Sequence, residues 1–284
     1  MVLYHRNCPS GDGFGAAFAA WMSLGDTAIY VPADYGDMPP AAKGLDVFIL
    51  DLSFPAEVLQ RLSEEASSLT LLDHHVTAER KLSGFKPVCC GKIHFDLTKC
   101  GSVLAWEHFH PGKPLPALFR HLNDRDLWEW KHVHSAPYLA WLDCQDKSFE
   151  RWAQILQMTD SEEQQALAMG SVLLHQKQQL AESMASKSAP VRIGDHAGLM
   201  VNASGELRSE VGTLLAQKSG TFGLVWRVAE DGSVLCSLRS LKGEGSVDVE
   251  QIALQFGGGG HPTSASFKLS ATALPELAHG VIRA

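Results

Sequence analysis

The six cysteines (Cys8, Cys89, Cys90, Cys100, Cys144 and Cys236) include no CxxC spacing and no zinc-ribbon pattern. Neither a disulfide framework nor a ribbon-type structural zinc organises the chain, which predicts a reducing compartment. Also missing is any run near the roughly 18 consecutive apolar residues of a membrane span. The opening MVLYHRNCPSGDG lacks the basic segment and long apolar stretch of a secretory leader. Positive charge is scarce: 24 Lys and Arg face 32 Asp and Glu, a formal net charge of −8. Proteins that track long DNA or RNA neutralise many phosphates through a basic face, and no basic stretch is present. There is no internal repeat, and GGGG at 257–260 is too short and too well framed to be a linker. The expectation is a cytoplasmic protein with no membrane partner and no long nucleic acid, acting on a short anionic substrate.

What is present is ample apolar sequence, 45% of 284 residues, enough for a large core and favouring two domains. The first half alternates short apolar runs with amphipathic stretches: MVLY, GAAFAAWMSL, DVFILDLSF, PAEVLQRLSEEAS and LTLLDHH. That rhythm predicts βαβ units, an α/β fold with a parallel sheet, and functional loops beyond the carboxyl ends of its strands. Helical character dominates from about 149 to 186, followed by short β-like runs such as TFGLVWRVA and SVLCSLRS. The predicted division is a catalytic domain at 1–148, a helical connector at 149–188 and a smaller mixed-sheet substrate-binding domain at 189–284.

An aspartate after an apolar strand is often a simple cap, so Asp51 alone says little. Its company says more. Three strand ends deliver His5 with Asp12, then Asp51, then Asp73 with His74 and His75, and Asp124 and Asp126 follow in HLNDRDLWEW. If the strands are neighbours, so many carboxylates in one cleft repel unless cations sit among them. Mixed carboxylate and imidazole donors suit manganese, magnesium, iron or zinc, and ions roughly 3.5–4 Å apart serve phosphoryl chemistry. The residue types therefore point to a metallohydrolase. The seven tryptophans raise the question of base stacking. Core packing is the reading adopted for most, with Trp21 and Trp106 on amphipathic helices and Trp128 and Trp130 packed beneath the NDRD segment.

In order along the chain stand YHRNCPSGDGFGAA, ILDLSF, LLDHH, GSVLAWEHF, NDRDLWEW, SLRS and FGGGGHPTSASF. This series resembles the DHH–DHHA1 phosphoesterases over nearly the whole length, with Asp73-His74-His75 as the triad that gives the family its name. The resemblance implies two divalent ions, manganese first with magnesium or another divalent ion as alternatives. Asp51 bridges them. His5 binds one, while Asp12, His74 and Asp124, preferred to Asp126, bind the other. His75 then faces the scissile phosphate and Asp73 orients a neighbouring histidine. Arg239, Gly258, Gly259, Gly260 and His261 are implied to grip the substrate in the interdomain cleft, and a homodimer is left open. The implied activity is phosphodiester hydrolysis of short oligonucleotides or dinucleotides by metal-activated water. A polyphosphatase, a nucleoside-bisphosphate phosphomonoesterase and a non-catalytic nucleotide-binding protein are the alternatives. One departure bears on the first metal: two residues look added between Pro9 and Asp12. Aligning on Asp12 puts Ser10, and aligning on His5 puts Cys8, near the usual place of a carboxylate.

Overall fold

The apolar runs of the first half become five strands, β1 (Val2–His5), β2 (Tyr30–Ala33), β3 (Asp46–Leu50), β4 (Ser68–Asp73) and β5 (Cys90–Phe95). In this computed structural model, which describes residues 1–6, 8, 10–243 and 246–282, they pair in the order β2-β1-β3-β4-β5, every pair parallel. The intervening helices are α1 (Asp12–Leu24), α2 (Ala56–Glu65), α3 (Val76–Lys81), α4 (Gly101–Phe109), α5 (Ala117–Asp126), α6 (Ser135–Leu142) and α7 (Phe149–Ile155).

Strand alternation sends neighbouring side chains to two cores. Leu50 and Leu72 join α1, α4, α5, α6 and α7 in one, around Phe18, Trp106, Phe119 and Trp152. Ile49 and Leu71 join Leu59 and Leu62 of α2 in the other. A sheet covered on both faces explains why β3 and β4 read as nearly continuous apolar runs.

The long helix α8 (Asp160–Ala185) starts with a reciprocal cap. Thr159 Oγ1 accepts from the Glu162 amide at 3.3 Å, and a Glu162 carboxylate oxygen accepts from the Thr159 amide at 2.8 Å. The chain divides into two compact units between Leu174 and His175, inside this helix. Ala166 and Leu167 belong to the core of the first unit, as do Trp152 and Ile155 of α7. Ala181 and Ala185 belong to a core of the second. The stretch 149–188, read from sequence as a connector, is thus shared out between the two cores.

In the second unit, β6 (Ala189–Ile193), β7 (His196–Asn202), β8 (Phe222–Val228), β9 (Val234–Ser240), β10 (Gly259–His261), β11 (Ser264–Leu269) and β12 (Val281–Ile282) form one sheet. Their order is β10-β11-β9-β8-β7-β6-β12. The β7–β8 and β6–β12 pairs are parallel and the others antiparallel, a mixed sheet as expected from its short strands. Helix α9 (Arg208–Ser219) covers one face, with Val211 and Leu215 against Val225; α10 (Val249–Leu254) and α11 (Leu274–Ala278) cover the other. Among the described residues no helix is long and apolar enough to cross a membrane.

Candidate metal centre

Neighbouring strands β1, β3 and β4 end side by side, so the residues at their carboxyl ends converge. His5 closes β1, Asp51 follows β3, and Asp73 closes β4 with His74 and His75 after it. Asp51 takes φ +56°, a left-handed conformation that Asp tolerates better than most residues. Space there is tight. A Cβ at Gly101 would lie 2.5 Å from Asp51 Cβ, and one at Gly13 would lie 2.1 Å from the His5 carbonyl oxygen. These two glycines let α4 and α1 approach the strand ends.

Three donor sets result, each with atoms within 4.8 Å of one another: His5, Cys8 and Asp51; Asp51, His74 and His75; and Asp12, His74 and Asp126. Asp51 and His74 each belong to two sets, so the sets are contiguous. His74 Nε2 stands 3.2 Å from Asp51 Oδ1, 3.3 Å from Asp126 Oδ2 and 3.8 Å from Asp12 Oδ2. Asp12 also takes the N-terminus of α4, accepting from the amides of Gly101 at 2.6 Å and Ser102 at 2.9 Å, a favourable place for a carboxylate. Asp73 Oδ1 lies 2.7 Å from His75 Nδ1, and its Oδ2 accepts from Ser53 Oγ at 2.5 Å. Asp73 therefore holds the His75 ring and does not join the donor sets.

The NDRD segment ends α5, and each of its four side chains has its own task. Asn123 Oδ1 accepts from the Cys100 amide at 2.9 Å. Asp124, the aspartate preferred from sequence as a metal ligand, turns elsewhere: it accepts from the amides of Lys131 at 2.7 Å and His132 at 3.0 Å, pinning the loop after α5. Arg125 grips Asp143 through two bonds of 2.8 and 2.9 Å and donates to the Ser10 carbonyl. Asp126 is the one that faces His74. The reason is helical geometry, since residues two apart point about 200° away from each other. Burial does not separate the two, since Asp124 is itself buried at this end of the helix and Asp126 is half-buried. Trp128 and Trp130 also depart from expectation. Both have positive φ, near +52° and +51°, and their rings meet edge to face 5.1 Å apart, with Trp130 37% exposed. Asp124 shapes this loop and the two indoles lie outside the core.

In the first motif Cys8 comes to His5 and Asp51. Ser10 Oγ lies 2.8 Å from Cys8 Sγ and accepts from the Asp12 amide at 3.3 Å. Asn7 and Pro9 of this motif lie outside the described residues.

Electrostatics mark the cluster as short of positive charge. Burial, reinforced by Asp51 and Asp126, pushes the Asp12 carboxyl up to about 8. Burial alone would lower His74, yet Asp126, Asp51 and Asp12 outweigh it and raise the imidazole to about 10. Burial likewise opposes ionisation of Asp51, but His5 and His74 hold it well below the carboxylate range. Burial and then Asp51 push the Cys8 thiol up, so its ionisation requires a cation alongside.

The second unit carries the residues assigned to substrate. Arg239 on β9 pairs with Ser264 on β11, which pairs with His261 on β10, placing all three in one row on one sheet face. The Arg239 guanidinium donates to Ser209 Oγ at 2.7 Å and to the Leu238 carbonyl at 2.8 Å. Burial, then the repulsion of Arg208, lowers Arg239 to about 10. Arg208, at the start of α9, is the second positive charge here and donates to the Gly205 carbonyl at 2.6 Å. Gly258 and Gly260 have a packing reason to be glycine: added Cβ atoms would lie 2.1 Å from the Ser266 carbonyl oxygen and 2.4 Å from that of Ser264. Gly259 pairs with Ser266 on this edge strand.

The donors fit divalent cations. Asp51 is fully buried, and its carboxylate oxygens and His5 Nδ1 make no well-formed hydrogen bond, only ion-pair contacts of 3.5 Å to each other and 3.2 Å from Asp51 to His74. Buried polar atoms left this way are costly unless something positive meets them. The hard oxygens and imidazoles around them are ligands for such ions.

No protein-family profile matches the chain. It is 28% identical over 295 aligned positions to uncharacterized protein R106 of Acanthamoeba polyphaga mimivirus, covering 95% of this chain and 67% of that protein. Among solved structures it is similar to the pGpG-specific phosphodiesterase PggH of Vibrio cholerae, with a TM-score of 0.53 and 12% identity over 98% of this chain and 96% of that one. It is similar as well to RecJ of Thermus thermophilus in complex with Mn2+, with a TM-score of 0.51 and 16% identity over 99% of this chain and 53% of RecJ. The chain thus shares the fold of these two structures, and it spans about half the length of RecJ.

Proposed function

We propose that the protein is a metal-dependent phosphodiesterase acting on short oligonucleotides or dinucleotides, with two divalent ions, manganese by preference, held by His5, Asp12, Asp51, His74 and Asp126. The observation that carries this reading is Asp51: a buried carboxylate without a well-formed hydrogen bond, within reach of donors on both sides. Cations bound there supply Lewis acidity toward phosphoryl oxygens and a nucleophile at neutral pH. The chain's own groups supply the rest. Asp73, steadied by Ser53, keeps the proton on His75 Nδ1 and favours the positively charged ring, which suits His75 to neutralise charge developing on the phosphate. Arg239 and His261 bind the substrate's phosphate, Arg239 by a two-pronged contact.

The acidic net charge favours short substrates over polymers. PggH, whose structure covers nearly the same length, acts on pGpG, a dinucleotide, and this supports the choice. All six cysteines are free, which fits a cytoplasmic setting.

The deciding experiment gives the purified protein Mn2+ and a short oligoribonucleotide, linear and cyclic dinucleotides, a nucleoside bisphosphate and polyphosphate, with metal counted on the same sample. Release of mononucleotides with about two metals bound is the expected result. Orthophosphate as the only product would replace this reading with a phosphomonoesterase or polyphosphatase, and no turnover with one metal or none would replace it with a nucleotide-binding protein.

A further inference from the structure

Cys8 does not sit as a packing thiol sits. Cys236, for comparison, is buried in an apolar core with Leu224, Leu238 and Phe267. Cys8 instead lies with Sγ within 4.8 Å of a His5 nitrogen and an Asp51 oxygen, and those two side chains contain the buried atoms that lack well-formed hydrogen bonds. The sulfur has a further polar neighbour: Ser10 Oγ stands 2.8 Å from it, and the Ser10 carbonyl is gripped by Arg125. Groups that hydrogen-bond a ligand are a regular part of metal sites.

The two ends of the cluster differ in chemistry. Asp12, His74 and Asp126 offer two carboxylates and one imidazole, a hard set suited to manganese or magnesium. His5, Cys8 and Asp51 offer sulfur, nitrogen and oxygen, and a thiolate favours zinc, cobalt(II) or iron(II) over manganese and magnesium.

We propose that His5, Cys8 and Asp51 form a subsite for a thiophilic divalent cation with Cys8 as a thiolate ligand, so that the two ends of the centre select unlike metals. Binding there exchanges the thiol proton, released to solvent, for the cation. This rests on the metal-dependent reading above and goes beyond it in assigning a sulfur ligand and a metal class.

The test loads metal-depleted full-length protein with cobalt(II) under anaerobic conditions, counts bound metal by equilibrium dialysis and reads the ultraviolet–visible spectrum. Expected is a thiolate-to-cobalt charge-transfer absorption in the near ultraviolet that is lost in Cys8→Ser and kept in Cys100→Ser. Bound cobalt without that absorption overturns the sulfur ligand and leaves the phosphodiesterase reading standing. So does an absorption that survives Cys8→Ser. Failure of the wild type to retain any cobalt overturns both. As a second arm, Cys8→Asp should shift the preference for zinc over manganese toward manganese by on the order of tenfold or more, judged against ligand-shell effects. An unchanged ratio overturns the assignment.

Discussion

His74 Nε2 stands 3.3 Å from Asp126 Oδ2. With Asp51 and Asp12 also against it, the protonated imidazole is the counter-charge of a metal-depleted cluster, and this sets a pH dependence. His74 rises from 6.5 to about 10 in the folded protein. The stability it contributes is therefore complete below pH 6.5 and is lost as pH climbs through about 10. Asp12, raised from 3.8 to about 8, acts in the same sense, because the fold favours its neutral form. Metal-depleted protein should melt at a lower temperature at pH 9 than at pH 6.5, and its affinity for Mn2+ should increase over the same interval as protons cease to compete. Thermal melts with and without Mn2+ check both; a melting temperature that rises with pH would contradict the electrostatic account.

The two aspartates of the NDRD segment should separate cleanly on substitution. Asp126→Asn is expected to lower metal stoichiometry and, by removing a counter-charge of His74, to weaken the pH dependence of the metal-depleted melt. Asp124→Asn leaves two backbone amides with a poorer acceptor, costs about 1–3 kcal/mol of stability and keeps the metal. Elemental analysis beside chemical denaturation reads both quantities, and equal metal loss in the two variants would put Asp124 back among the ligands.

Asp73→Asn keeps the shape of the carboxylate but weakens its hold on His75. Turnover should fall by roughly 10–100-fold with metal content unchanged, the usual scale for a residue that orients a site group. Steady-state kinetics should place the loss in kcat. A loss confined to KM would assign Asp73 to substrate binding instead.

Gly101→Ala adds a single methyl group, and Asp51 Cβ is in its way at 2.5 Å. The overpacking should cost about 1–3 kcal/mol and displace Asp51, so metal is lost although every donor is present. Retention of full metal content would show that α4 can shift without moving the carboxylate.

Much of this was legible in the sequence. Alternating apolar runs gave the parallel sheet, and the expected convergence of His5, Asp51, His74 and His75 beyond its strand ends is what the structure has. The sequence preference for Asp124 over Asp126 is not matched by the geometry, in which Asp126 turns toward His74 and Asp124 toward the amides of Lys131 and His132; a motif fixes which residues occur but not which way each side chain turns. Trp128 and Trp130 were misplaced because their apolar character says nothing of the left-handed backbone at those two positions. Cys8 was one of two alignments of the first motif; choosing it needs the turn from Cys8 to Gly11, whose closing hydrogen bond of 3.0 Å sequence does not reveal.

Arg125 ties the Ser10 carbonyl to the Asp143 carboxylate, which gives the centre a place in the order of synthesis. His5, Cys8 and Asp12 leave the ribosome early and find no complete set of partners. The donors are all present only once Asp126 has emerged, and the clasp on the first turn closes only after Asp143. A growing chain cut short before that point can own every residue of the amino-terminal motif and still lack the clasp that Arg125 and Asp143 make on it.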